Sequence, residues 1–447
     1  MKTPIYNFLV KYAENQGVRL HMPGHKGVFC SNVNNSSLFS AYNFDITEVS
    51  GADSLYEADG IICESERISS EIFGADTFFS TEGSSLSIRA MLYLVTLYAA
   101  EQGEKPRVLA ARNVHKSFVS AVSLLDIEVE WLYGKEASYL SCIIDPEELD
   151  KKLQSQGQKP HAVYLTSPDY LGNIQDIKSI AEVCHRHGAL LLVDNAHGAY
   201  LKFLTPSRHP IDLGADMCAD SAHKTLPVLT GGAYLHLSRR LPSFFKENAK
   251  SCMAMFASTS PSYLILASLD LFTASIPDYS TFAKRMDECK DKISALGYST
   301  VGDEPAKITL CAKKYGYLGT HLARELSERG IECEFSDPDF LVLMFSPMNT
   351  EEDVHRLLNA LKNIPKKEEI KLSPPRLSVP SAVISPREAS LSASETVNAD
   401  CTEGRTLAAI TVGCPPAVPI LVSGEAVTKE AIDVFKYYGI NKINVIK

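Results

Sequence analysis

Between residues 75 and 240 the chain alternates short apolar or β-branched runs with stretches in which apolar positions recur at helical spacing. Arg107–Ala111, Glu128–Leu132, Ala162–Thr166, Ala189–Val193, Asp216–Ala219 and Ala233–Leu237 read as strands. Ser84–Ala100, Ser117–Leu125 and Ile177–His187 read as helices, the first ended by Gly103 and the last by Gly188. This alternation predicts an α/β fold, a mostly parallel sheet with helices on both faces. Ala189–Val193 is continuously apolar, as a strand buried on both faces requires.

After Pro261 the pattern stays helical through about Ala283 and then becomes a smaller α/β text, with strands at Ile308–Ala312 and Phe340–Phe345 and helices at Gly319–Arg329 and Glu351–Leu361. Prolines and charges between Pro365 and Pro380 have linker composition. Beyond them, Leu407–Val412 and Ile420–Val422 are β-rich and Lys429–Tyr437 is helical. The expected organisation is an N-terminal segment with a large domain (1–275), a small α/β domain (276–364), a linker (365–380) and a C-terminal α+β module (381–447).

Composition narrows the class. A chain of 447 residues with 45% hydrophobic and 22% charged residues can bury a large core without metal or disulfide. The net charge of −10 argues against a nucleic-acid or anionic-membrane surface. Eleven cysteines, never spaced Cys-x-x-Cys, indicate neither a disulfide framework nor a zinc knuckle, and make a cytoplasmic location the default. No apolar run reaches the length of a membrane span, and the N-terminal apolar patch is too brief for a signal peptide. No metal site is expected, since Cys184-His185-Arg186-His187 ends a helix without carboxylate company. The carboxylates Glu64, Glu66, Glu71 and Asp76 read as a solvated helix face.

Candidate chemistry sits at strand ends, where ligands bind in open α/β sheets. Lys224, among small and apolar residues in Asp220-Ser-Ala-His-Lys-Thr225, could offer a desolvated amine for a Schiff base, although alone it is an ordinary surface lysine. Asp194 closes the buried run in Val193-Asp-Asn-Ala-His-Gly198 and alone would be a loop or cap carboxylate. Together they match what a pyridine cofactor needs: an amine for its carbonyl carbon and an anion to keep its ring nitrogen protonated. Thr81-Glu-Gly-Ser-Ser85 runs into a helix start and could hold a phosphate, or simply cap the helix. His115, after the strand Arg107–Ala111, could stack on a ring or hydrogen-bond its loop.

In this order the motifs resemble the Orn/Lys/Arg decarboxylase family of fold type I pyridoxal 5'-phosphate (PLP) enzymes, in the short form without a wing domain. The resemblance rests on His21-Met-Pro-Gly-His-Lys-Gly27, Asp45-Ile-Thr-Glu48, Gly51-Ala-Asp-Ser-Leu55, the serine loop, Asn113-Val-His-Lys-Ser117, Thr166-Ser-Pro-Asp-Tyr-Leu-Gly172, Asp194-Asn-Ala-His-Gly198 and Ser221-Ala-His-Lys224. Pro386-Arg-Glu-Ala389, Gly404-Arg405, Pro415-Pro416 and Gly424-Glu425 extend it to the C-terminal module. It implies that Lys224 is the Schiff-base lysine, Asp194 the partner of the pyridinium nitrogen and His115 the ring-stacking residue. Ser84, Ser85, Ser221 and His223 are implied as phosphate contacts and His197 as a further cofactor contact; Lys224 or His223 would protonate Cα. Thr259 or Ser260 would reach the phosphate of a neighbouring subunit, giving a homodimer with shared sites and room for a higher oligomer. The implied activity is α-decarboxylation of lysine, arginine or ornithine to cadaverine, agmatine or putrescine. Rivals are another fold type I PLP enzyme (aminotransferase, aldolase or lyase) and a non-catalytic relative. Departures from the family pattern fall at Glu82 for Gly or Asn, Asp169 for Thr, Asn195 for Glu, and Cys414-Pro-Pro-Ala417 for Tyr-Pro-Pro-Gly.

Overall fold

A computed structural model describes residues 2–15, 17–28, 38–134, 139–409, 411–414 and 418–447. Pro415–Ala417 of the departing C-terminal motif therefore lie outside the described residues. Seven strands, β1 (Asp76–Ser80), β2 (Arg107–Ala111), β3 (Glu128–Leu132), β4 (Ala162–Thr166), β5 (Leu190–Asp194), β6 (Met217–Asp220) and β7 (Ala233–Leu237), form a sheet in the order β1-β7-β6-β5-β4-β2-β3. β7 runs antiparallel to both β1 and β6, whereas β5–β6, β2–β4 and β2–β3 are parallel. The expected mostly parallel α/β sheet is thus present. β1 escaped the sequence pattern, because Asp-Thr-Phe-Phe-Ser is short and follows directly on a helix.

The chain divides into two compact units, of which the first comprises Met1–Leu94, Leu192–Lys202 and Pro206–Pro277. It carries β1, β6, β7 and the end of β5, with helices Pro4–Glu14, Ile61–Phe73, Ser84–Glu101 (to Leu94), Ser243–Ala254 and Tyr263–Ala274. The long helical text after Pro261 is two helices rather than one. Ser275 ends Tyr263–Ala274, and Pro277 and the capping Asp278 start Tyr279–Ala295, because proline lacks the N–H a continuous helix needs. Glu66 is a second correction. It does not face solvent but is 6% exposed, accepting from Phe79 N at 3.0 Å and pairing with Lys250 at 2.8 Å. Asp76 likewise opens β1 instead of continuing the helix, which Gly74 stops in the left-handed conformation at φ 70°.

The second unit comprises Val95–Leu191, Phe203–Thr205 and Asp278–Lys447. Its own sheets are an antiparallel set of four, Phe335–Ser336, Phe340–Met344, Lys307–Cys311 and Thr300–Val301, and two pairs, Ser394–Asn398 with Lys442–Ile446 and Thr411–Cys414 with Val418–Val422. One buried cluster joins Leu140, Leu171, Phe335 and Val342 to Leu407, Ile420, Phe435 and Val445. The proline-rich stretch before residue 381 has no regular structure but is tied down, since Lys313 Nζ reaches Leu372 O at 2.6 Å and Tyr139 Oη reaches Pro375 O at 2.7 Å.

Within the first unit, Thr3 makes no side-chain cap on helix Pro4–Glu14; a carboxylate from another helix does that work. Asp270, with no exposure, accepts from Tyr6 N at 3.0 Å and from Ser65 Oγ at 2.7 Å. Asp270→Ala leaves both donors without this acceptor and is expected to cost about 2–3 kcal/mol. Amide exchange should quicken across Tyr6–Leu9 and stay unchanged in the second unit; equal protection in variant and wild type would refute this.

Candidate active site

The carboxyl ends of β5 and β6 lie side by side, with Asp194 opposite Ala219. Asp194 is 2% exposed, and its Oδ1 accepts from Ala196 N at 3.2 Å. Three residues on, His197 is buried, and its Nε2 lies 3.0 Å from Lys224 Nζ. Lys224 is half-buried on the short helix Ala222–Thr225, which leaves β6 through Asp220 and Ser221. Ser221 Oγ donates to Ser84 Oγ at 2.7 Å. The loop Thr81–Ser85 is thereby joined to the segment that carries the lysine.

That loop is shaped by its backbone. Gly83 adopts φ +71°, its N donates to Gly231 O at 2.7 Å, and a Cβ added at Gly83 would meet nothing within 4 Å. The serines follow as the first two residues of helix Ser84–Glu101. His223 Nδ1 lies 3.0 Å from Gly232 O. Burial pushes the His223 imidazole below its ordinary value, the Gly232 carbonyl opposes this, and the Lys224 charge adds to the fall. Ser85 is half-buried at the second position of the same helix.

Thr259 and Ser260 are exposed. They do not cap the following helix, because Ser262 does so by accepting from Ile265 N. Their segment is tied to the serine loop by Glu82, whose Oε1 accepts from Ser258 N at 2.6 Å. His115 belongs to the second unit. It caps helix Lys116–Leu125, its Nδ1 accepting from Ser117 N at 3.2 Å, which leaves the proton of a neutral ring on Nε2. The first unit thus brings together Ser84, Ser221, Lys224, His197 and Asp194.

The sequence reading missed the group beneath them. Asp220, with no exposure, accepts from Asn195 Nδ2 at 2.7 Å and Cys218 Sγ at 3.4 Å on one oxygen, and faces His209 Nε2 at 3.0 Å and His236 Nε2 at 3.2 Å on the other. Burial alone would push this carboxyl up; the two imidazoles reverse that and hold it well below the ordinary carboxylate range. His209 Nδ1 accepts from Ile211 N, so Nε2 carries the proton given to Asp220. Burial drives the His236 imidazole down against the pull of Asp220. His209, Cys218 and Asp220 also have their ligand atoms within 4.8 Å of one another, but the three satisfy each other by hydrogen bonds. No sequence signal joins them: 209, 220 and 236 come from a loop and two strands.

Residues 3–296 match the family described as Orn/Lys/Arg decarboxylase, major domain. The chain is 29% identical to the arginine decarboxylase of Bacillus subtilis over 97% of its own length and 93% of that protein's. It is 30% identical to the arginine decarboxylase of Halalkalibacterium halodurans, with 96% and 91% covered. Among solved structures, the lysine decarboxylase of Francisella novicida superposes at a TM-score of 0.80 and 17% identity, covering 100% of this chain and 81% of that one.

Asp220→Asn removes a charge on which several buried donors converge, and is expected to lower stability by about 3 kcal/mol or more. The wild-type protein should also lose stability as pH falls below about 6.5, because unfolded His236 binds a proton that the buried ring refuses. Thermal melts of both proteins from pH 8 to pH 5 check this; a variant melting with the wild type at pH 8 would count against it.

Proposed function

The chain belongs to the Orn/Lys/Arg decarboxylase family, and from that membership we propose that it removes the α-carboxylate of a basic amino acid as CO₂ with PLP as cofactor. Arginine heads the candidates, with agmatine as product, because two relatives alike over nearly their whole length bear the name arginine decarboxylase; lysine and ornithine follow. When bound, PLP supplies an electrophilic carbonyl carbon and a protonated ring that accepts the electron pair released with CO₂.

The residues present fit that cofactor. Ser84 and Ser221 offer two adjoining hydroxyls to a phosphate, and Lys224 offers an amine. Asp194 offers a buried carboxylate, the anion that a protonated ring nitrogen would need. We assign Lys224 to hold the carbonyl carbon and to return a proton to Cα after CO₂ departs, with His223 as the alternative donor. His197, 3.0 Å from Lys224 Nζ, orients that amine. Ser84, Ser85, Ser221 and His223 would bind the phosphate. The observation that carries the reading is the adjacency of Ser84–Ser221, Lys224–His197 and Asp194 at two neighbouring strand ends.

The finer assignments extend to assembly and location. Thr259 and Ser260 are exposed and released from helix capping, which supports their service to a partner's phosphate in a homodimer. No helix among the described residues is long and apolar enough to cross a membrane; a cytoplasmic role in making polyamines is the reading we favour. Residues 381–447 we take as the decarboxylase-type C-terminal domain beyond a linker at 365–380.

Lys224→Ala should lower CO₂ release from labelled arginine, lysine or ornithine by roughly 10³-fold or more. Keto-acid formation in place of CO₂ from the wild-type protein would point to transamination instead, and no turnover of any of the three to a non-catalytic relative. Mixing Lys224→Ala with a Thr259, Ser260 double substitution under subunit exchange should restore about a quarter of wild-type activity, since half the dimers carry one intact site. No recovery despite proven exchange would place each site within one chain.

A further inference from the structure

Within the first unit, strand order puts the start of β7 between the serine loop and the lysine. β7 pairs with β1, Ala233 opposite Ser80, and with β6, Tyr234 opposite Asp220. The turn Gly231-Gly232 that leads into β7 therefore lies between the loop leaving β1 and the Lys224 helix leaving β6. It bonds to both. Gly231 O accepts from Gly83 N at 2.7 Å, and Gly232 O accepts twice from His223, from its N at 3.1 Å and from its Nδ1 at 3.0 Å. The turn is itself closed by Gly232 N, which donates to Leu229 O at 3.0 Å.

Neither position has room for a side chain. Gly231 adopts φ +98°, and a Cβ there would stand 2.7 Å from Thr81 O and 3.1 Å from Ile265 Cδ1. A Cβ at Gly232 would overlap Val228 Cγ1 and come within 3.2 Å of Leu229 O. The backbones of the turn and the serine loop thus meet directly, with no rotatable side chain between them to absorb a shift.

We propose that Gly231 and Gly232 are positioning residues, which set the distance between the phosphate-binding serines and Lys224 and so let one rigid cofactor be held at both ends. The proposal rests on the reading of Ser84 and Ser221 as phosphate donors and of Lys224 as the amine for the carbonyl carbon. A ligand held at two points gains affinity from the second only when the spacing of the two sites matches its own length. A shift of the serine loop against the lysine helix forfeits that gain, although each anchor still binds by itself.

Gly231→Ala, which drives the turn against Thr81 O, tests this with three ligands: PLP; pyridoxal, which keeps the carbonyl carbon without the phosphate; and pyridoxine 5'-phosphate, which keeps the phosphate without the carbonyl. Dissociation constants are measured by equilibrium dialysis against protein freed of cofactor. PLP affinity should fall roughly tenfold or more, while each single-anchor ligand changes by about twofold at most. An equal loss for all three would make the glycine a residue of general stability and overturn the proposal. Unchanged PLP binding would overturn it too, and so would a loss that PLP shares with one single-anchor ligand, since that anchor is then damaged rather than displaced. A Ser84, Ser221 double alanine variant and Lys224→Ala test the underlying reading separately: the first should weaken pyridoxine 5'-phosphate and the second pyridoxal. If either fails to, that anchor is misassigned and the proposal falls with it, whatever Gly231→Ala does. Should Gly231→Ala not fold, Gly232→Ala, whose Cβ presses on Val228 and not on the serine loop, carries the same three-ligand comparison from the lysine side of the turn.

Discussion

Asp220 keeps an ionised carboxylate in the first unit out of all contact with water. An ion so placed costs several kcal/mol unless donors remain aimed at it, and those donors come from four directions: Asn195 after β5, Cys218 on β6, His209 before a short helix and His236 on β7. His236 is locked in turn, because Thr77 on β1 meets its other ring nitrogen at 2.9 Å. Satisfying one charge therefore holds β1, β5, β6 and β7 in mutual register. The strand ends that follow, bearing Asp194 and Ser221 to Lys224, inherit a separation that cannot drift without exposing that charge.

One departure from the family pattern serves this charge directly. Asn195 stands where a glutamate is the rule, and its amide donates to Asp220, so the negative charge is kept one strand away. Asp169, in place of threonine, is fully buried and builds a turn, accepting from Leu171 N and Asn173 N, each at 2.9 Å. Burial pushes its carboxyl up despite these bonds, and Lys307 Nζ closes on its backbone carbonyl at 2.9 Å. Glu82 ties the serine loop to Ser258. None of the three is idle: each has a local partner that a pattern of single letters does not contain.

The second unit solves a comparable problem over a longer sequence distance. Arg112 and Glu425 are 313 positions apart, yet they form one of its most buried ion pairs. A guanidinium laid against Trp131 and bonded to two carboxylate oxygens and a carbonyl has few donors left over, which is what makes burying it tolerable. The hydrophobic cluster running from Leu140 to Val445 gives the same C-terminal segment its apolar anchorage. Between the apolar cluster and the ion pair, the module is held both by area and by direction.

Local pattern was enough for the alternation of strands and helices. Arg107–Ala111, Glu128–Leu132, Ala162–Thr166 and Ala233–Leu237 are strands with the bounds that hydrophobicity and propensity suggest: the first, third and fourth are largely buried and so apolar, while Glu128–Leu132 lies at the sheet edge, is partly exposed and alternates polar with apolar residues. Asp194 and Lys224 were visible as candidates because they follow such runs at the sheet's ligand-binding edge, and Ser84 because a loop of small residues there runs into a helix start. What the sequence could not disclose was partnership. The burial of Glu66, the pairing of Arg112 with Glu425 and the four donors around Asp220 all depend on residues far apart in the chain. Their side chains alone carry no periodicity, and only the folded backbone makes a buried charge choose its neighbours.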